Sequence, residues 1–277
     1  MALLEMPEPI TEESQKVTSQ DFTLTVIGSG SSGNCSLVSY GDCHLLIDAG
    51  FSAKQIGLRM EEMGFKLEDL TAVLVTHEHS DHVKSAHTLS NRLKIPILCT
   101  AGTFHSAFEG KKVYDWVTIK PGRAFDLGTM AIHPISLPHD AEDPVGFRIE
   151  CGNRILGHIT DFGYPSALVR ESLKGCHVLL TEANHDLDML KNGPYPWSLK
   201  QRIASRLGHL SNESLFEMLP DILHDGLQHL VLAHLSETNN SPQLLKVQLK
   251  RELRKLGLPN LAFTIAQQHQ ALRPLCL

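Results

Sequence analysis

Neither a staple nor an anchor is visible in this sequence of 277 residues. Its six cysteines (Cys35, Cys43, Cys99, Cys151, Cys176 and Cys276) include no CxxC pair. A chain long enough to bury a large core has no need of disulfides, so they read as reduced thiols of a cytoplasmic protein. No apolar run approaches the roughly 18 residues of a membrane span, which excludes a membrane partner of that kind. Residues 1–20 are acidic and polar and lack the basic start and apolar stretch of a signal peptide, so they read as a flexible leader. A positive surplus is missing too: 25 Lys and Arg stand against 31 Asp and Glu, a formal net charge of -6. Bulk electrostatics therefore draws neither nucleic acid nor anionic lipid, and any affinity for phosphate must come from a local site. No linker, repeat or low-complexity tract interrupts residues 21–277, which favours one generous domain over two small ones.

The pattern of apolar residues alternates between two kinds of passage. Strands are expected over residues 22–27, Cys35–Tyr40 and Cys43–Ile47, a helix over 52–63, a strand over 71–75 and a second helix over 81–93. Residues 96–160 read as strands (Pro96–Cys99, 130–137, 145–150, Arg154–Ile159) broken by Pro, Gly and Asn turns. A helix near Ala167–Leu173, a strand 178–181, helices near 198–207 and 213–224, a strand 230–233 and a last amphipathic helix 242–256 complete the chain. Each half is mostly strands followed by helices, as expected of an α/β protein with two sheets face to face and helices outside.

Histidine is abundant, with 16 in the chain, and its grouping carries the chemistry. The apolar run Thr71-Ala72-Val73-Leu74-Val75 stops at Thr76-His77-Glu78-His79-Ser80-Asp81-His82. In an extended segment His77 and His79 point the same way and can grip one ion, while Asp81 and His82 turn with the next helix toward a second. The plain alternative is a polar loop with Asp81 as helix N-cap. It would leave three histidines and an aspartate unpaired beside a buried strand, which is expensive without a metal.

Gly28-Ser29-Gly30-Ser31-Ser32-Gly33 fits a dinucleotide-binding fingerprint, with Asp48 near the place of a ribose-binding acid. That motif must open a helix, but Val38, Tyr40 and the Gly41-Asp42 turn follow, so no nucleotide cofactor is expected. The loop remains a tight turn whose Ser31, Ser32 and Asn34 are candidate phosphate contacts.

The Thr-His-x-His-x-Asp-His run resembles the signature of the metallo-β-lactamase superfamily, which implies an αββα sandwich: two mixed sheets with helices on their outer faces. The resemblance carries the remaining roles over one by one. His139, in Leu137-Pro138-His139-Asp140, joins His77 and His79 on a first metal. Asp161, in Ile159-Thr160-Asp161, bridges to a second metal held by Asp81, His82 and His234, Asp81 counting among the catalytic groups as well. Asp48 supports the ligand loop from behind. Gly28-Ser29-Gly30-Ser31-Ser32-Gly33-Asn34, Leu46-Ile47-Asp48-Ala49-Gly50, Glu182-Ala183-Asn184-His185-Asp186, Gly208-His209-Leu210-Ser211-Asn212 and His234-Leu235-Ser236-Glu237 look like the YycJ/WalJ group of this superfamily, over nearly all of residues 22–265. That likeness implies two divalent ions per chain, manganese or zinc, a bridging hydroxide as nucleophile, and DNA degraded 5′-to-3′ from an end. By order in the chain, Glu182 and His209 match the pair that assists leaving-group protonation in tRNase Z enzymes. Asn184, Lys200 and Arg202 are further candidate contacts to substrate. No domain-sized insertion separates Asp161 from His234, and no cysteine stands in the second metal set, so an RNA clamp and a β-lactamase are both disfavoured. A small-molecule or cyclic phosphodiesterase, another hydrolase of the fold and a non-catalytic binding module stay as alternatives. Oligomeric state is open.

Overall fold

Two seven-stranded sheets lie face to face, each assembled in the same order of pairings. The computed structural model describes residues 21–277, and the expected leader lies outside the described residues. One sheet holds β1 (Thr23–Gly28), β2 (Cys35–Tyr40), β3 (Cys43–Ile47), β4 (Ala72–Leu74), β5 (Pro96–Cys99) and β6 (Asp115–Thr118), with β14 (Leu275–Cys276) returning to pair with β1. The other holds β7 (Phe125–Leu127), β8 (Met130–Ser136), β9 (Val145–Cys151), β10 (Arg154–Ile159), β11 (Val178–Glu182), β12 (His229–Ala233) and β13 (Ala262–Ile265). From β14 to β6 the neighbours pair antiparallel three times and then parallel three times. From β7 to β13 they do the same.

The helices are α1 (Ala53–Glu62), α2 (Ser80–Val83), α3 (Ala86–Leu93), α4 (Ala101–Phe108), α5 (Ala167–Leu173), α6 (Leu187–Asn192), α7 (Trp197–Ile203), α8 (Asn212–Ile222) and α9 (Pro242–Lys255). Strands buried on both faces call for consecutive apolar residues, and Leu45-Leu46-Ile47 of β3 and Val178-Leu179-Leu180 of β11 supply them. Leu45, Ile47, Val178 and Leu180 face the opposite sheet, while Leu46 and Leu179 face outward under helices. The core is thus three apolar layers, one between the sheets and one under each set of helices, as the αββα expectation requires. No helix among the described residues is long and apolar enough to cross a membrane.

The structure departs from the sequence reading in three places that matter for the site. The single helix expected over 81–93 is two helices with Ser85 between them. The carbonyls of Asp81 and His82 accept instead from the N–H groups of Asn34 and Ala49, and Ser85 N–H donates to the Ala49 carbonyl, so the helical ladder cannot run on. The helix expected over 198–207 stops at Ile203, whose carbonyl accepts from His209 N–H and folds that residue back over the sheet. Within the supposed strand region, Thr100 caps α4 through its hydroxyl, and Phe104 of that helix stacks on Trp116 with ring centres 3.7 Å apart. Short edge strands β6, β7 and β13 and helix α6 have too few residues for a readable period.

Gly50 sits where the chain after β3 passes under Asp81. A Cβ there would overlap the Asp81 carbonyl oxygen and come within 2.6 Å of Asn34 N. Gly50→Ala is expected to cost about 1–3 kcal/mol through forced backbone displacement, and to lower bound metal together with thermal stability, because Asp81 and His82 ride on the displaced segment. Thermal unfolding and elemental analysis of the same sample check this, and an unchanged metal content would show the segment to be pliable.

Candidate metal centre

Every expected ligand except His139, which follows the antiparallel strand β8, stands at the end of a parallel strand or on the segment that follows one. β3 runs into Asp48, β4 into the His77 loop, β10 into Asp161, β11 into Glu182 and β12 into His234. Three of these residues hold left-handed backbone: φ is 60° at Asp48, 60° at Asp161 and 54° at His234. Such conformations cost about 1–3 kcal/mol each without glycine, and the surrounding bonds must hold them. Asp48 and Asp161 follow the corresponding strand of each sheet, so the two halves reach the centre with the same turn.

Asp48, buried, organises the ligand loop. Its carboxylate accepts from Thr76 N–H (2.8 Å), from the Thr76 hydroxyl (2.9 Å) and from His82 Nδ1–H (2.8 Å). Because the Thr76 proton points to Asp48, its oxygen can accept from His77 Nδ1–H at 2.9 Å. His139 Nδ1–H donates to the Gly208 carbonyl (3.0 Å), and His234 Nδ1–H to Glu182 Oε1 (2.9 Å). Four histidines thus have Nδ1 locked as a donor and present Nε2 as a lone pair. His79 turns the other nitrogen inward, its Nδ1 lying 3.3 Å from His139 Nε2. Two nitrogens bound at about 2.0–2.1 Å to one tetrahedral ion lie about 3.3 Å apart.

Two sets of acceptors result. His77, His79 and His139 converge on one point, and Asp81, His82 and His234 on another, the atoms of each set lying within 4.8 Å of one another. Asp161 stands between them, with Oδ2 3.3 Å from His82 Nε2, Oδ1 3.2 Å from His234 Nδ1 and Oδ1 3.9 Å from His139 Nε2. His77 Nε2, His234 Nε2 and Asp161 Oδ2 are buried without a hydrogen-bond partner. Orphaned acceptors at that depth fit divalent cations. Glu182 also lies within reach of Asp161, His209 and His234, but its oxygens are spent. Oε2 accepts from the N–H groups of Phe162 (3.1 Å) and Leu210 (3.2 Å), and Oε1 from His234 and from His209 Nδ1–H (2.8 Å). It orients imidazoles rather than binding an ion.

The other candidates separate clearly. Ser31, Asn184 and Arg202 line a cavity of about 170 Å³ beside His209, together with Asp140, Tyr195 and Ser236. Ser32 gives its N–H to Gln268 Oε1 (2.7 Å), and Lys200 Nζ donates to the Lys191 carbonyl (2.8 Å), so neither lines that cavity. Asn34 is buried and has a different task from the substrate contact expected of it. Its Oδ1 accepts from the Ser29 hydroxyl (2.8 Å) and Gly30 N–H (3.0 Å), and its Nδ2 donates to the Gly30 carbonyl (3.1 Å) and lies 3.3 Å from Asp81 Oδ2. Thr76, the Gly208 carbonyl, Asp140 and Gln268 were not singled out by the sequence. Gln268 braces the glycine loop from the far end of the chain, with Nε2 donating to the Gly33 carbonyl at 2.8 Å. That loop leads into β2 and not into a helix.

Charge within the cluster is balanced by protons in the ion-free protein. Burial, with the neighbouring histidines, holds His77 well below the usual imidazole range. Burial also opposes charge on His82 and His234, yet Asp161 and Asp48 lift His82 well above that range, and Asp161, Asp81 and Glu182 lift His234 to about 10. Cation and proton therefore compete for the same Nε2 lone pairs. Since His234 is protonated at neutral pH, metal uptake is expected to release about one proton or more per chain and to weaken as pH falls. An indicator-dye titration of weakly buffered, ion-free protein reads this, and uptake without proton release would contradict the assignment of His234.

Comparison with known proteins agrees with this architecture. Residues 44–234 match the family described as the beta-lactamase superfamily domain. The chain is 34% identical over 236 residues to exodeoxyribonuclease YycJ of Bacillus anthracis, covering 84% of this chain and 89% of that protein. It is likewise 34% identical over 243 residues to exodeoxyribonuclease WalJ of Streptococcus pneumoniae serotype 2, covering 86% and 90%. The metallo-β-lactamase fold protein YhfI of Bacillus subtilis superposes with a TM-score of 0.69 at 17% identity, over 91% of this chain and 99% of that one, a likeness of fold. The chain therefore belongs to the metallo-β-lactamase superfamily, as a metal-dependent hydrolase related to the YycJ and WalJ proteins.

Proposed function

We propose that this protein is a dinuclear phosphodiesterase that degrades DNA from an end, working 5′-to-3′. The observation that carries the reading is the pair of acceptor sets with Asp161 between them, and a Glu182-oriented imidazole at the edge of the adjoining cavity. His77, His79 and His139 would hold a first ion, and Asp81, His82 and His234 a second, with Asp161 common to both. When bound, two divalent ions, manganese or zinc, supply Lewis acidity toward phosphoryl oxygens and lower the pKa of water from about 15.7 to about 7.

The rest of the work falls to side chains. Asp48, Thr76 and Gly208 hold imidazoles so that lone pairs stay aimed inward through a turnover. Glu182 fixes His209 through Nδ1 and leaves Nε2 as the nitrogen available to the cavity. Burial opposes charge on His209, but Glu182 raises its pKa, which favours the protonated form whose proton Nε2 can pass to a departing alkoxide. Arg202 meets Asp140 through Nε, which leaves its terminal amino groups to contact a phosphate beside Ser31 and Asn184. DNA as the substrate is supported by the activity in the names of the two relatives, and the direction by the sequence resemblance.

End-labelled linear duplex, closed circular duplex and a cyclic nucleotide, each incubated with manganese-loaded protein, test the reading. Nucleotides are expected from the linear form alone, starting at the 5′ end. Turnover of the cyclic phosphate with neither DNA degraded would transfer the site to small molecules. His209→Ala is expected to keep its metal and slow DNA turnover by roughly 100-fold or more. The loss should shrink on bis-p-nitrophenyl phosphate, whose leaving group needs no proton, and an equal loss on both substrates would remove His209 from the role of acid.

A further inference from the structure

Asp140 follows His139 directly and is itself outside the two acceptor sets. Its Oδ2 accepts from Arg202 Nε at 2.5 Å. Its Oδ1 is buried without a hydrogen-bond partner and lies 3.4 Å from His139 Nε2. That is closer than the 3.9 Å between the same nitrogen and Asp161 Oδ1. Since His139 gives its Nδ1 proton to the Gly208 carbonyl, Nε2 presents a lone pair toward Asp140. Two acceptors facing each other repel unless positive charge or a donor lies at their junction.

An exposed ion pair serving only the surface would contribute little and would not need a buried, unpartnered oxygen. Here the pair belongs to a clamp. Asp140 N–H donates to the Leu207 carbonyl, and the next carbonyl, of Gly208, holds His139. Arg202 approaches from α7, whose final carbonyl fixes His209. The segment carrying the acid and the segment carrying a ligand of the first set are tied together at Asp140. Asp140 is absent from the acceptor sets whose atoms all lie within 4.8 Å of one another, so it stands one step outside the ligands.

We propose that Asp140, aimed by Arg202, is a positioning carboxylate of the first metal site, and that the pair sets how tightly His77, His79 and His139 hold their cation. This rests on the two-ion reading above. The negative charge would face the cation beside His139, and Arg202 keeps that charge from turning out to bulk water. Removal of such an outer partner typically weakens metal binding by about 10- to 100-fold.

The test is manganese binding to chelator-stripped protein, followed by loss of the free-ion EPR signal, for wild type, Asp140→Asn, Asp140→Glu, Arg202→Ala and the double variant Asp140→Asn with Arg202→Ala. Wild type is expected to bind two ions. Asp140→Asn should weaken one of them by about 10- to 100-fold and leave the other unchanged. Asp140→Glu should recover part of the loss, and the double variant should be no worse than Asp140→Asn, because Arg202 acts through Asp140. Thermal unfolding of the ion-free variants separates a metal effect from a folding one. Two sites at wild-type affinity in Asp140→Asn, or additive losses in the double variant, overturn the proposal while leaving two-ion binding intact. Failure of wild type to bind two ions overturns the two-ion reading, and this one with it.

Discussion

The constraint on which this structure turns is the crowding of ligand atoms whose mutual repulsion only cations or protons offset. Five imidazoles and two carboxylates converge at the mouth of the sandwich, with facing atoms at separations near 3.3 Å. A chain left to lower its own energy would turn those side chains outward. Four of the imidazoles stay because each is tied from behind by a bond it cannot exchange for water: His77 to Thr76, His82 to Asp48, His139 to Gly208 and His234 to Glu182. The folded state holds a geometry that is costly alone and favourable around cations. The left-handed backbone at Asp48, Asp161 and His234 is part of the same cost, borne where the two sheets meet.

The repeated order of pairings explains why the site lies where it does. In each half, three antiparallel neighbours give way to three parallel ones, so the parallel strands of both sheets end at the same rim. Loops following parallel strands are free to carry chemistry, because the strands are buried on both faces and fixed by packing. The ligands are contributed about equally by the two halves, and neither half has a complete set. Asp161, from the second half, faces His82 from the first, and Asn34, beneath the first half's loop, lies against Asp81.

Much of this was legible in the sequence because the relevant signals are local. His77, His79, Asp81 and His82 fall within six residues directly after an apolar strand, and the structure gathers them with His139, Asp161 and His234 at one rim. The two-layer architecture was readable because each half of the chain runs mostly through strands and then helices. Hidden from the sequence were relations that depend on backbone atoms from distant segments. The break at Ser85 is imposed by Asn34 and Ala49, and the end of α7 by His209, and no propensity of residues 81–93 or 198–207 encodes either. Asn34 looked like a phosphate contact because its loop is rich in glycine and serine. Its amide is instead consumed in holding that loop against Asp81, a fact that only the fold reveals. Lys200 was drawn in by its charge, yet the charge is turned to the end of a neighbouring helix.

The brace from Gln268 has a consequence for the order in which the molecule comes into being. Ser32 and Gln268 are separated by 236 residues, yet the amide of one closes the loop that carries the other. Ser29 N–H reaches the Gln267 carbonyl at 3.1 Å, and the Ser29 hydroxyl in turn accepts from His234 N–H at 2.9 Å. Chains emerge from the ribosome N-terminal end first, and their early segments begin to fold as they appear. The first sheet can collapse with its histidines in place, but the loop beside them stays without its clasp until residues 267 and 268 arrive. The ligand segments, the last of them at His234, are thus made before the loop that lies against Asp81 receives its clasp, so that local rigidity beside the acceptor sets arrives later than the acceptors themselves.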